Sequence, residues 1–267
     1  MAISPAGSAR IRWPRQRFGT PSRCGFSVKS TNPCRLPTRS LADAEAAGHI
    51  PTMAYVHAFR ALLGLLQRSL EAVAASQVFA AIVSQYDLPA FSARLAAFLR
   101  GWVSWFHSRD QAGRGEMQNG IANWREQGLV WFLPSLEAAL AEVEASAGET
   151  DAGLRRLDDL LAELERTEQR WYEAEMHRIR GEILLKRDPA DTAAPERSLQ
   201  AAIAIAQSQK ARSFELRAAL SLAKLYRAAH RDADAHAVLT TAVEGFPPTQ
   251  QFPELTEAQT FLAALSH

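Results

Sequence analysis

The chain has 267 residues, of which 47% are apolar and 22% charged, with a formal net charge of +1. That length suits one large domain or an extended array. No apolar run reaches the ~18–20 residues that a membrane-spanning helix requires, and the basic N-terminus is not followed by the hydrophobic core of a secretory signal. Both features favour a cytoplasmic protein with no membrane partner.

Residues 1–40 stand apart from the rest. They carry eight basic side chains (Arg10, Arg12, Arg15, Arg17, Arg23, Lys29, Arg35 and Arg39), five of the 13 prolines and no acidic residue. The other 227 residues hold 22 basic and 29 acidic side chains, a net of −7. A break this sharp marks a boundary. The segment has too few aliphatic residues to offset its ordering entropy. It is expected to be an unfolded basic tail, or upstream sequence translated from a start codon set too early. It also holds both cysteines, Cys24 and Cys34. Two thiols do not meet the usual four ligands of a structural zinc site. Trp13, Phe18 and Phe26 could stack on bases beside the positive charge, but no nucleic-acid-binding motif accompanies them, so nucleic acid is not the expected partner.

From residue 41 to 267 the text is rich in Ala, Leu and Glu and reads as helix throughout. Gly48 closes a short first helix and Pro51 opens the next. Asp87 and Pro89 open another, and Gly128 and Pro134 flank a break. The stretch Ala147-Gly148-Glu149-Thr150-Asp151 ends one helix and starts the following one. Leu154, Leu157, Leu160, Leu161 and Leu164 form one apolar stripe, while Arg155, Arg156, Asp158, Asp159 and Glu163 face away. Met176, Ile179, Ile183 and Leu184 repeat the pattern, with Glu182 and Lys186 as an i, i+4 pair on the wet side. Asp188-Pro189 begins a connection and Pro195 restarts the helix. Gly245-Phe246-Pro247-Pro248 closes the last full pair, and Pro253 starts a terminal helix running to about Leu265.

A step of forty residues runs through this helical text. Ala61, Gly101, Ala141 and Gly181 follow one another at that interval, and Ala223 comes 42 further on. A fixed period of this size is the mark of stacked helical hairpins. Small residues are needed where two helices cross at ~8–10 Å. Glycine within a helix costs about 1 kcal/mol relative to alanine, so Gly101 and Gly181 are placed where close approach repays that cost. The expected fold is an all-α solenoid.

The pattern of a small residue, a large apolar residue two or three on, a turn and a second amphipathic helix resembles tetratricopeptide repeats, although the period exceeds the standard 34. The strings RWYEAEMHRIRGEILLKRD (170–188) and LYRAAHRDADAHAVLTTAVEGFPPTQQFPELTEAQTFLAAL (225–265) look like the C-terminal repeat region of large bacterial signalling proteins. Those proteins join an adenylate or guanylate cyclase, or a DNA-binding regulator, to a signal-transduction ATPase. The chain has no GxxxxGK[ST] phosphate loop and nothing like the metal-binding aspartates of a cyclase. The resemblance therefore implies a regulatory interaction module without catalysis or cofactor. Its implied partner is a protein or peptide, such as a signalling ATPase or cyclase.

In such repeats the first helix of each pair lines a groove. By that analogy Phe98, Trp102, Trp105 and Phe106 flank Gly101, Arg178, Glu182 and Lys186 flank Gly181, and Arg217, Lys224 and Arg227 flank Ala223. The aromatic members read more readily as ordinary core between neighbouring pairs. A structural remnant of a truncated gene and a small-molecule sensor pocket are the alternatives to a partner-binding groove.

Catalytic constellations are weak. Glu173 and His177 share a helical face but lack a third ligand at useful spacing. His230, Asp232, Asp234 and His236 fit a capped turn. Ser104, Ser108, His107 and Asp110 are neighbours in sequence, with no GxSxG elbow. Gly113, Gly115 and Gly120 do not form a dinucleotide fingerprint.

Overall fold

The computed structural model describes residues 48–67, 70–122, 132–167, 169–244 and 253–265, together with Asp43, Ala46, Trp124, Phe246 and Pro247. The basic segment 1–40, with its cysteines and aromatics, and the break at Gly128 lie outside the described residues.

All regular structure among the described residues is helical. The helices are α1 (Ile50–Gln67), α2 (Leu70–Gln85), α3 (Ala90–Ser108), α4 (Gln111–Ile121), α5 (Leu133–Ser146), α6 (Thr150–Thr167), α7 (Glu173–Arg187), α8 (Ala193–Gln209), α9 (Arg212–Ala228), α10 (Asp232–Val243) and α11 (Pro253–Leu265). A 3-10 turn, Arg170–Tyr172, leads into α7. Successive helices pack as pairs, α1 on α2, α3 on α4, α5 on α6, α7 on α8 and α9 on α10, and α8 packs as heavily on α9. Each pair then packs on the next, and the first helices α5, α7, α9 and α11 also touch side by side.

Local chemistry sets the boundaries. Gly48 and Gly148 take positive φ at the turns before α1 and α6, a conformation costly for residues with a Cβ. The Asp110 carboxylate accepts from the Ala112 amide at 3.0 Å and caps α4. Asp191 does the same for α8 through the amides of Ala193 and Ala194. Pro134 sits in the first turn of α5 and Pro253 opens α11, where a missing amide hydrogen costs nothing.

The five small residues fall on the first helices of the five pairs, and all five are buried. A methyl group on Gly101 would fall inside contact distance of the Gly113 carbonyl oxygen and 2.9 Å from the Met117 nitrogen. Gly153 of α6 faces the Ala141 carbonyl at 2.6 Å in the same sense, and Gly181 faces Leu199 of α8 at 2.8 Å. At α3–α4, α5–α6 and α7–α8 the small residue thus sits where the two helices of its pair meet.

The core is strung along the array. One apolar cluster joins α1 to α5 through residues such as Phe79, Phe98, Met117 and Leu140. A second links α5, α6 and α7 through Ala138, Leu157 and Ile179. A third fills α8 to α11 around Leu216, Leu222 and Leu239. The leucine stripe of α6 is buried as its spacing requires, with Leu161 only partly so. Arg156 departs from the expected outward face: its guanidinium turns back to the buried Glu144 of α5, at 2.7 Å.

Candidate functional site

The residues expected to flank a groove divide into core and surface. Phe98, Trp102 and Trp105 are buried in the α1–α5 cluster. This corrects the reading of an aromatic groove wall. Their spacing along α3 is that of an inward apolar stripe, and neighbouring pairs close over it. Phe106 alone of the four stays on the surface, 40% exposed and stacked on Trp102 at 5.2 Å.

The charged members are brought together, but mostly inside the fold. Arg178 of α7 is buried. It meets Glu175 at 2.7 Å, Glu182 at 2.5 Å and Glu142 of α5 at 3.8 Å. Burial opposes its charge, but Glu175, Glu182 and Glu142 outweigh that penalty and hold its pKa well above the ordinary value. Arg217 of α9 reaches Glu175 at 3.3 Å and Glu254 of α11 at 2.7 Å. Ser221 donates to Glu182 at 2.7 Å. These pairs cross from α5 to α7, α9 and α11, so the first helices are laced by one ion network. It joins the guanidinium groups of Arg178 and Arg217 to the carboxyl groups of Glu142, Glu175, Glu182 and Glu254. Glu175 is sealed, whereas the side chains of Glu182 and Glu142 are 39% and 29% exposed. The expected open character of Arg178 and Arg217 is therefore corrected: bulky guanidinium groups among neighbouring carboxylates are held between helices. Lys224 pairs in the open with Glu257 of α11 at 2.6 Å. Arg227 lies over the Phe261 ring at 5.3 Å, and Lys186 is exposed.

A feature missed in the sequence adjoins this network. Six aromatic rings form a continuous ladder: Tyr55 and Phe59 of α1, Phe132 before α5, Trp171 and Tyr172 before α7, and Phe214 of α9. Successive ring centroids lie 4.4, 5.4, 6.1, 5.0 and 5.7 Å apart. Most contacts are edge-on or tilted, the arrangements that ring quadrupoles favour. Tyr172 is buried, Phe59, Phe132, Trp171 and Phe214 are half-buried, and Tyr55 is 62% exposed. Tyr172 also joins ladder to network. Burial pushes its hydroxyl pKa up, Glu175 adds to the shift, and Arg217 and Arg178 oppose it. The signal lay in the forty-residue step: Phe132, Tyr172 and Phe214 each precede the small residue of their helix by nine positions.

The other candidates resolve into local structure. Ser104 donates to Asp110 at 3.2 Å and Ser108 to the Ser104 carbonyl at 2.8 Å, so these groups finish α3 and start α4. His177 has a lowered pKa because burial disfavours its cation, with Glu173 opposing and Arg180 assisting. Asp234 pairs with Arg231 at 2.7 Å. Among the described residues no group of three or more His, Cys, Asp or Glu side chains could hold a metal ion, and no helix is long and apolar enough to cross a membrane. A shallow hollow of about 440 Å³ lies between α8, α9 and α10. Its polar rim is engaged internally, with Tyr226 donating to Glu196 at 2.8 Å and Arg231 pairing with Glu196 and Asp234.

No protein-family model matches the chain, and comparison with curated proteins finds no match.

Proposed function

We propose that this chain is a non-catalytic helical-repeat scaffold, similar in build to a tetratricopeptide array, that binds a protein or peptide on its row of first helices. The observation that carries the reading is the placement of all five small residues, buried, on the first helices of five successive pairs. Repetition of one packing unit builds an extended surface rather than a single enclosed pocket. On that surface the exposed carboxylates and Lys224 of α5, α7, α9 and α11 lie beside an aromatic ladder, and aromatic and charged groups of this kind anchor protein interfaces. The resemblance of residues 170–188 and 225–265 to the C-terminal region of cyclase- and ATPase-linked regulators suggests a cytoplasmic signalling protein as the partner.

The test is affinity capture from the native cell with three forms of the full chain. The unaltered chain should retain a stoichiometric partner. The double variant Glu182→Gln, Lys224→Ala should lose at least five-fold in recovery. Asp159→Lys, an exposed change on the outer side of α6, should leave recovery unchanged. Equal recovery by all three, or no stoichiometric partner, refutes the first-helix surface.

A further inference from the structure

We infer, resting on the first-helix row as the partner surface, that the protein segment received there is acidic. Its carboxylates meet three cations on one level of the row: Lys186 of α7, with Lys224 and Arg227 of α9.

Register brings the three together. Arg217 pairs with Glu175 and, further along both helices, Ser221 donates to Glu182, so α7 and α9 run side by side in one direction. Lys186 stands a helical turn beyond Glu182, and Lys224 nearly a turn beyond Ser221. A turn rises about 5.4 Å, which puts the two lysines at one height on touching helices. Arg227 follows, over the Phe261 ring of α11. Charge separates this level from the network below, where Arg178 and Arg217 are held by carboxylates. Lys186 and Arg227 are exposed, and among the described residues neither stands in an ion pair. Both lie in the last turn of their helix, where the macrodipole favours a cation without help from a carboxylate. Lys224 meets Glu257, in a pair whose two side chains are each 51% exposed. The free charge of Lys186 and Arg227 therefore faces solvent, ready for an incoming anion. A short acidic stretch of protein matches so small a set of cations. Nucleic acid, with its dense charge, is opposed by the net −7 of residues 41–267, since like-signed fields repel.

Lys29, Lys186, Lys210 and Lys224 are the chain's only lysines, so carbodiimide coupling of a synthetic peptide of ten glutamates to the full-length protein has few lysines to choose from. Coupled sites are mapped by peptide mass. Lys224 is open to internal coupling with Glu257, which makes Lys186 the reporter. Lys210, exposed at the end of α8, is the internal control. Attachment at Lys186 should exceed that at Lys210 at least five-fold. Arg227→Glu should cut attachment at Lys186 at least five-fold, and Arg227→Gln at least two-fold, with Lys210 within two-fold of the parent in both. Equal attachment at Lys186 and Lys210, or attachment at Lys186 that ignores both changes at Arg227, would overturn the proposal. So would a ten-nucleotide oligo-dT that, at the peptide's own concentration, blocks more than half of the attachment at Lys186, because phosphate would then be the preferred anion. Failure here with partner capture still sensitive to Glu182→Gln, Lys224→Ala removes the acidic partner and leaves the binding surface standing.

Discussion

A methyl group separates two opposite expectations at Gly101 and Gly115. Both are helical, and alanine is the better helix former by about 1 kcal/mol. At Gly115 an added Cβ meets nothing within 4 Å, so Gly115→Ala should raise Tm by roughly 2–4 °C for a chain of this size. At Gly101 the same group strikes the backbone of α4 at Gly113 and Met117. Backbone cannot rotate away as a side-chain tip can, and overpacking typically costs 1–3 kcal/mol. Gly101→Ala should therefore lower Tm by roughly 4–8 °C. Thermal unfolding followed by circular dichroism measures both. If Gly101→Ala melts at or above the parent temperature, the close crossing of α3 and α4 is wrong. The pair also shows what a sequence can convey. The forty-residue step marks Gly101 as special because Ala141 and Gly181 repeat it. Nothing local separates Gly115 from Gly113, whose own added Cβ would lie 2.6 Å from the Gly101 carbonyl.

Helix boundaries were legible because turns depend on neighbours in sequence. Gly48, Gly148, Pro134 and Pro253 act within a few residues of themselves, whereas the break that Asp110 caps between α3 and α4 carried no such mark in the sequence. Contacts between helices were less so. The spacing of Phe98, Trp102 and Trp105 defines a stripe but not what covers it, and a groove wall and a core seam have the same periodicity. The ion network was hidden for a related reason. Arg217 reaches 42 residues back to Glu175 and 37 forward to Glu254, distances set by stacking one pair on the next. The network makes a sharp prediction between elements. Arg178→Met takes from the buried Glu175 its partner at 2.7 Å and leaves Arg217 at 3.3 Å. Removing one partner of a buried pair costs about 3–5 kcal/mol. The double change Arg178→Met, Glu175→Leu takes out the stranded charge as well and should cost less than the single change. Lys224→Met breaks only the exposed pair with Glu257 and should cost less than about 1 kcal/mol. Urea unfolding orders the three. A double variant less stable than Arg178→Met would mean that Glu175 is satisfied without Arg178, and that the lacing of α5, α7 and α9 does not depend on it.

Across the whole molecule, the core is a sequence of linked clusters rather than a single centre, and α5 belongs to two of them. Leu136 and Leu140 face the α1–α4 side, while Ala138, Ala141 and Ala145 face α6 and α7. A structure in which each unit touches mainly its neighbours gains stability from adjacent interfaces, and local damage should stay local. Leu239 of α10 is fully buried in the C-terminal cluster, and truncation to alanine at such a site costs roughly 2–5 kcal/mol. Leu239→Ala should speed hydrogen exchange of amides in α8 to α11 and leave those of α1 to α4 within two-fold of the parent, because no core side chain of α10 reaches the first cluster. Leu140→Ala, at the shared helix, should speed exchange in α1 to α4 and also in α6 and α7, through displacement of α5. The contrast lies in where protection is lost, so it survives any difference in the size of the two cavities. Equal acceleration from α1 to α11 in both variants would make the chain one cooperative unit, and the forty-residue step would then describe its helices without dividing its stability.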